Sequence, residues 1–226
     1  MDLTIMRLRG APLEPRGVYK IISSFEFGEE SDVGFRDLDV EGDHLTGFAL
    51  KRFPVIVKVF DPVSKTLIDQ DDFFVSEVFF RIRPADQTIE IFASSRNVDR
   101  LITTFQQTVG ERLILEAVSA KPFEILTALE SQGRVFELPR LQIREFQSEP
   151  GVIGTYDIRS LDRKIAWRLI KTYRGNVVQA TVTATTADAQ VNIHIQLNGK
   201  FKISARPRTG VEMVIEWIKE AINSLN

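Results

Sequence analysis

Two distant stretches share a plan that a sheet with a helix packed on it satisfies. In VNIHIQLNGKFKISA, residues 191–205, Val191, Ile193, Ile195 and Leu197 alternate with polar residues, as do Phe201 and Ile203 beyond an Asn-Gly pair. Period two around a turn former predicts a β-hairpin. Thr209 and Glu212 follow at capping-box spacing, with Val211, Val214, Ile215, Ile218 and Ile222 on one helical face. The first half repeats the plan. Val78, Phe80 and Ile82 alternate, then Ile89 and Ile91. A helix is expected from Val98 to Val109, with Asn97 as N-cap, Leu101, Ile102 and Phe105 on its apolar face, and Gly110 as the stop. Superposing the two stretches sets Val78, Phe80 and Ile82 on Val191, Ile193 and Ile195, and Ile89 and Ile91 on Phe201 and Ile203. Arg96 then falls on Arg208, and Leu101, Ile102 and Phe105 on Met213, Val214 and Trp217. A core-facing hairpin followed by a helix also arises from periodicity alone, so the echo supports duplication without requiring it.

The rest of the first half reads as strands. VYKIISSFEF (18–27), LTGFALKRF, VIVKVFD and FFVSEVFFRI are short runs rich in β-branched and aromatic residues. Pro54, DPVSK and DQDD punctuate them as turns would, the pattern of an antiparallel meander. The second half opens with a strand, RLILEAV. A helix follows in SAKPFEILTALESQG, where Pro122 suits the first turn and Gly133 ends it. RVFELPRLQIREF and VIGTYDI read as strands. DRKIAWRLIKTY fits either period: Leu161, Ile165 and Leu169 make a helical stripe, while Ile165, Trp167, Leu169 and Tyr173 share a strand face. The RGN that follows favours a strand ending in a hairpin turn.

The fold class expected is therefore α+β: two similar halves, residues 1–110 and 111–226, each a mostly antiparallel meander closed by a C-terminal helix and packed as one unit. Joined sheets of this kind would form a saddle-like, pseudo-twofold arrangement. That shape is similar to the two-repeat fold of the TATA-binding protein, and IEIFASSRNV resembles that family's strand-then-turn segment. The paired phenylalanine wedges and strong basic charge of that family have no counterpart here, so the resemblance concerns fold and carries no function.

Composition narrows the chemistry. With no cysteine, disulfides, thiolate metal sites and cysteine nucleophiles are excluded. The N-terminus lacks the basic and apolar regions of a signal peptide, and no apolar run reaches the length of a membrane span, so a cytosolic protein without membrane contact is expected. The two histidines, His44 and His194, are too few for a multi-histidine metal site, and His194 is expected on the solvated face of its strand. Phosphate-loop, dinucleotide and nucleophile-elbow motifs are missing. DLDVEGD, residues 37–43, starts like a calcium loop, but Phe48 stands where the bidentate Glu is needed; its alternation equally suits a charged edge strand. Asp69, Asp71 and Asp72, with Glu77 nearby, could hold a hydrolytic metal only if they converged, and a solvated turn is the simpler expectation. No catalytic residue, metal or cofactor is assigned.

Charge is regional. Residues 1–110 carry 13 basic against 18 acidic side chains, and residues 111–226 carry 16 against 13. Arg159, Arg163, Lys164, Arg168, Lys171 and Arg174 crowd one segment with Asp162 alone opposing them. Trp167 lies among them, and Arg206 and Arg208, with Lys200 and Lys202, extend the patch. Such a patch binds phosphates and stacks a base, so the leading expectation is a non-catalytic module that binds nucleic acid through these residues. The alternative is a protein-interaction or scaffold subunit of a larger complex, or a homodimer in which the patch meets the acidic half of a second copy.

Overall fold

The computed structural model describes residues 1–149, 151–159, 162–185, 189–206 and 210–225. Within them the chain is α+β, with mostly antiparallel strands and five α-helices. It divides into two compact units: Arg7–Glu116, and Ala117–Asn226 joined by Met1–Met6.

In the Arg7–Glu116 unit, the end of β1 (Asp2–Arg9) leads into α1 (Pro15–Ile22). The strand expected at 18–27 is instead the end of this helix, continued by a 3₁₀ turn, Ser23–Phe25. Val18, Ile21, Ile22 and Phe25 stand at i, i+3, i+4 and i+7, and Pro15 takes the first helical turn, so periodicity and start signal outweigh β-branched composition. A meander follows: β2 (Val33–Glu41), β3 (His44–Asp61), β4 (Thr66–Arg83) and β5 (Thr88–Ile91), in the spatial order β2-β3-β4-β5, with β1 beside β5. Residues 37–41 of the DLDVEGD segment thus belong to the outer strand β2, with a bulge between Arg36 and Asp39, and Gly42 and Asp43 make the turn to β3. Helix α2 (Ser95–Thr108) packs against β2, β3 and β4. Its N-cap is Ser94, three residues before the expected Asn97, and Gly110 takes the left-handed φ of 56° that ends it. Strand β6 (Ile114–Ala117) pairs with β1. Phe35, Phe80 and Phe105 meet edge-on at the centre of this unit, with ring centroids 4.9 to 6.0 Å apart.

Two expected breaks are absent. β3 runs straight through Pro54, and DQDD lies inside β4, so β3 and β4 pair without interruption from Leu45↔Ile82 to Asp61↔Thr66. Pro54 is tolerated because β2 pairs β3 only as far as Lys51. Beyond that the outer edge of β3 has no ladder that needs a donor.

In the other unit, α3 (Pro122–Ser131) buries Ile125, Leu126 and Leu129, and Gly133, at φ 70°, follows its end. The strands β7 (Glu137–Glu149), β8 (Val152–Arg159), β9 (Val177–Thr185), β10 (Gln190–Gln196) and β11 (Lys200–Arg206) lie in the order β8-β7-β9-β10-β11, with Asp2–Thr4 pairing β11. Helix α5 (Val211–Asn223) buries Val214, Ile215, Ile218 and Ile222, starting after Gly210; Thr209 lies outside the described residues. The expected strand at 160–173 is instead α4 (Arg163–Thr172). Asp162 caps it, accepting from the Lys164 and Ile165 amides at 2.9 and 3.3 Å, and RGN forms a 3₁₀ turn.

The two hairpins agree in register. Phe80 pairs Ile91 and Ile82 pairs Ile89, as Ile193 pairs Ile203 and Ile195 pairs Phe201. The helices differ from the superposition by one position. Leu101 and Phe105 are buried in α2, and Val214 and Ile218 in α5, while Met213 is exposed. Leu197 belongs to the turn and is exposed as well.

Candidate functional site

Beyond Lys51 and Ser76, β3 and β4 leave their neighbours and continue as a two-stranded arm to the turn at 62–65. At about 3.3 Å per residue, its ten or so residue pairs extend roughly 30 Å. Both faces of the arm carry apolar side chains, interspersed with charged and polar ones such as Lys58, Asp69, Gln70, Asp71 and Asp72. Residues paired across the ladder share a face. One face therefore carries Phe53 and Phe74, Val55, Val57, and Val59 with Ile68. The other carries Phe73 beside Pro54, Ile56, and Phe60 with Leu67. Ile56 is 70% exposed, Leu67 64%, Phe60 58% and Val63 at the tip 90%. Single exposed apolar residues are ordinary; a ribbon of them is not. A lone two-stranded hairpin is marginal in water, and both edges of this one are open.

Its base is clamped by an arginine on each face. Arg52 lies over the Phe73 ring at 4.5 Å and donates to the Glu29 and Gly28 carbonyls at 2.6 and 3.2 Å. On the opposite face, Arg100 of α2 lies over Phe53 at 4.8 Å and Phe74 at 6.0 Å. Its guanidinium donates to Ser76 Oγ and Asn97 Oδ1, both at 3.0 Å. Asn97, expected as a cap, instead orients this clamp. Cation–π contacts and the hydrogen bonds of the terminal guanidinium nitrogens hold the root, while Ile56, Phe60 and Leu67 farther out stay exposed.

Asp69, Asp71 and Asp72 sit on this arm and not in a turn. Strand alternation puts Asp69 and Asp71 on one face and Asp72 on the other, so the three do not converge. Among the described residues no group of three or more His, Asp or Glu gathers as a metal site.

The predicted basic residues divide by position. On α4, Lys164, Arg168 and Lys171 are exposed on one face with Ile165, while Ala166, Trp167 and Ile170 are buried. Trp167 is 9% exposed, which removes it from stacking on a ligand. Arg163 is 3.6 Å from Glu130 and lies over Phe136. Arg174, in the following turn, is exposed. Arg159 ends β8 and reaches Asp157 at 3.4 Å. Asp157 also accepts two 2.7 Å hydrogen bonds from Arg140, which hold its carboxyl below the usual range. Arg206 ends β11, and Arg208 lies outside the described residues. Tyr173, near the end of α4, rests on Phe146 at 4.9 Å.

His194 is half-buried, not solvated. Its Nδ1 lies 3.0 Å from Thr181 Oγ1, and burial, then Arg140 and Lys202, push its pKa down. His44 touches Asp43 at 3.0 Å at the start of β3. Glu90, unremarked in the sequence, is fully buried on β5 and accepts from Arg81 and Arg83, each at 3.2 Å. The two arginines compensate its charge within a core strand. In the sequence Pro54 and DQDD read as terminators, which hides the arm. The available signal was the matched length of apolar sequence on either side of DPVSK.

Among the described residues no helix is long and apolar enough to cross a membrane. No protein-family model matches the chain, and no curated protein is recognisably similar to it in sequence.

Proposed function

We propose that this chain is a non-catalytic interaction module of the cytosol, and that the β3–β4 arm is its protein-facing element. One observation carries the reading: a ribbon with exposed apolar side chains on both faces, open on both edges and clamped at its root, stands in solvent. Covering such a ribbon releases hydrophobic free energy of about 25 cal/mol per Å², and a partner strand could pair along either edge. The equal hairpin registers support a duplicated plan for the two halves. The test is a chain in which Val55–Asp72 is replaced by Asn-Gly. Folding stability is expected to change by less than about 1 kcal/mol, because the arm contributes little to the core. Partners co-purified by the intact chain should be lost. Retention of those partners on the shortened chain would sink the reading.

Nucleic-acid binding is the second reading, supported by Lys164, Arg168 and Lys171 on one exposed face of α4 with Arg174 beyond it. Three or four phosphate contacts would make binding steeply salt-dependent. A shift assay with DNA and RNA at low salt tests it, and an unchanged affinity in a Lys164→Glu/Arg168→Glu/Lys171→Glu chain would exclude the patch.

A further inference from the structure

We infer that the occupant of the arm is a second copy of this chain, which receives it on the exposed face of α4. This inference rests on the arm's being an interaction element and adds the identity of the partner. Between Phe53 and Phe74 the arm carries four aspartates, 61, 69, 71 and 72, against two lysines, 58 and 65. Lys58 faces Asp69 across the ribbon, whereas Asp71 faces Ile56, so the face bearing Phe60, Leu67 and Phe73 keeps a negative balance. Two arms laid together would oppose aspartate to aspartate, which disfavours arm-on-arm pairing. The α4 surface has the complementary composition: Lys164, Arg168 and Lys171 around an Ile165 that is 44% exposed. The spacings agree too. Asp69 and Asp71, two strand positions apart, are separated by about 6.7 Å along β4. Lys164 and Arg168, four helical positions apart, are separated by about 6 Å along α4. A ribbon with carboxylates at that interval meets a helix face with cations at the same interval and an exposed isoleucine beside them. The contact joins arm to helix, and a dimer in which each copy gives an arm and receives one is isologous, every contact being repeated in reverse.

The experiment uses the full, nuclease-treated chain in sedimentation velocity across a concentration and salt series. Self-association that weakens with salt is expected. Asp71→Lys and Arg168→Glu should each weaken it about tenfold, and the combined Asp71→Lys/Arg168→Glu chain should regain most of the loss. A monomer throughout the series, or a double variant no better than either single one, overturns the inference. A photoreactive benzoylphenylalanine at position 60 separates this failure from failure of the underlying reading. Adducts between position 60 and the 163–174 peptide of a second copy support the inference. Adducts only to a different protein overturn it and leave the arm as an interaction element. No adducts at all overturn both.

Discussion

The inner part of the β3–β4 hairpin lies in the core, whereas residues 53–74 of the same ladder stand in solvent. Leu45, Ala49, Val78, Phe80 and Ile82 are buried at the inner end. Ile56, Phe60, Leu67 and Phe73 are exposed at the outer end. Residue types, pairing and register are alike, and what differs is what lies against each face. The inner end has β2, β5 and α2 around it; the outer end has Arg52 and Arg100 over the rings at its root. Hydrophobic character therefore does not decide burial; the reach of neighbouring elements does. The exposed apolar residues of the outer end are the surface on which the proposed interaction rests.

The contrast can be broken most directly at its two phenylalanines. Phe80→Ala should cost about 3–5 kcal/mol in urea unfolding, since a cavity opens among Phe35, Phe105 and the helix above. Phe60→Ala should cost under about 0.5 kcal/mol in the isolated chain. Equal losses would mean that the arm is folded into the core. Next in size, Glu90→Ala leaves Arg81 and Arg83, both mostly buried, without that carboxylate. The expected cost is about 3 kcal/mol, read as a lower unfolding midpoint with an unchanged m-value.

Smaller is Arg100→Ala, expected to cost about 1 kcal/mol through the lost cation–π contact and hydrogen bonds. Hydrogen exchange should rise at residues 53–57 and stay unchanged at 78–82. Faster exchange at both ends would deny the arginine its place as a clamp.

Two aspartates sharpen the comparison by pH, with the smallest effect. Asp43, at the inner end, is held below the usual carboxyl value of 3.8 by its hydrogen bond to His44, despite some desolvation, with help from the charge of Arg83. Asp61, at the tip, is held below 3.8 by Ser64 and by the Val63 and Ser64 amides. A depressed carboxyl contributes stability that is complete above 3.8 and is lost as pH falls through its folded value. For Asp61 the loss should appear as faster amide exchange at 62–64 with the core intact. For Asp43 it should lower the global unfolding midpoint. Asp61→Asn should abolish the first without touching the second.

Periodicity made the final hairpins, α3 and α5 legible, because a single buried face imposes one spacing on its residues. It misled at 18–27, where β-branched content hid the 18, 21, 22, 25 stripe. It misled again at 160–173, where both periods fit and the cap at Asp162 was the deciding signal. The basic residues of α4 were recognised as a cluster, but not that Trp167 would turn inward. A helix separates faces by 100° per residue, while a strand alternates them.

By itself the sequence determined the α+β class, the excluded thiol chemistry and the regional charge. Each depends on composition or on spacing within one element. Only the tertiary structure decided that Pro54 and three aspartates lie inside continuous strands, that two arginines clamp the root of an arm, and that Ile56, Phe60 and Leu67 on it stand exposed. Those facts depend on which strands end early and which continue, and neighbours distant in the chain set that.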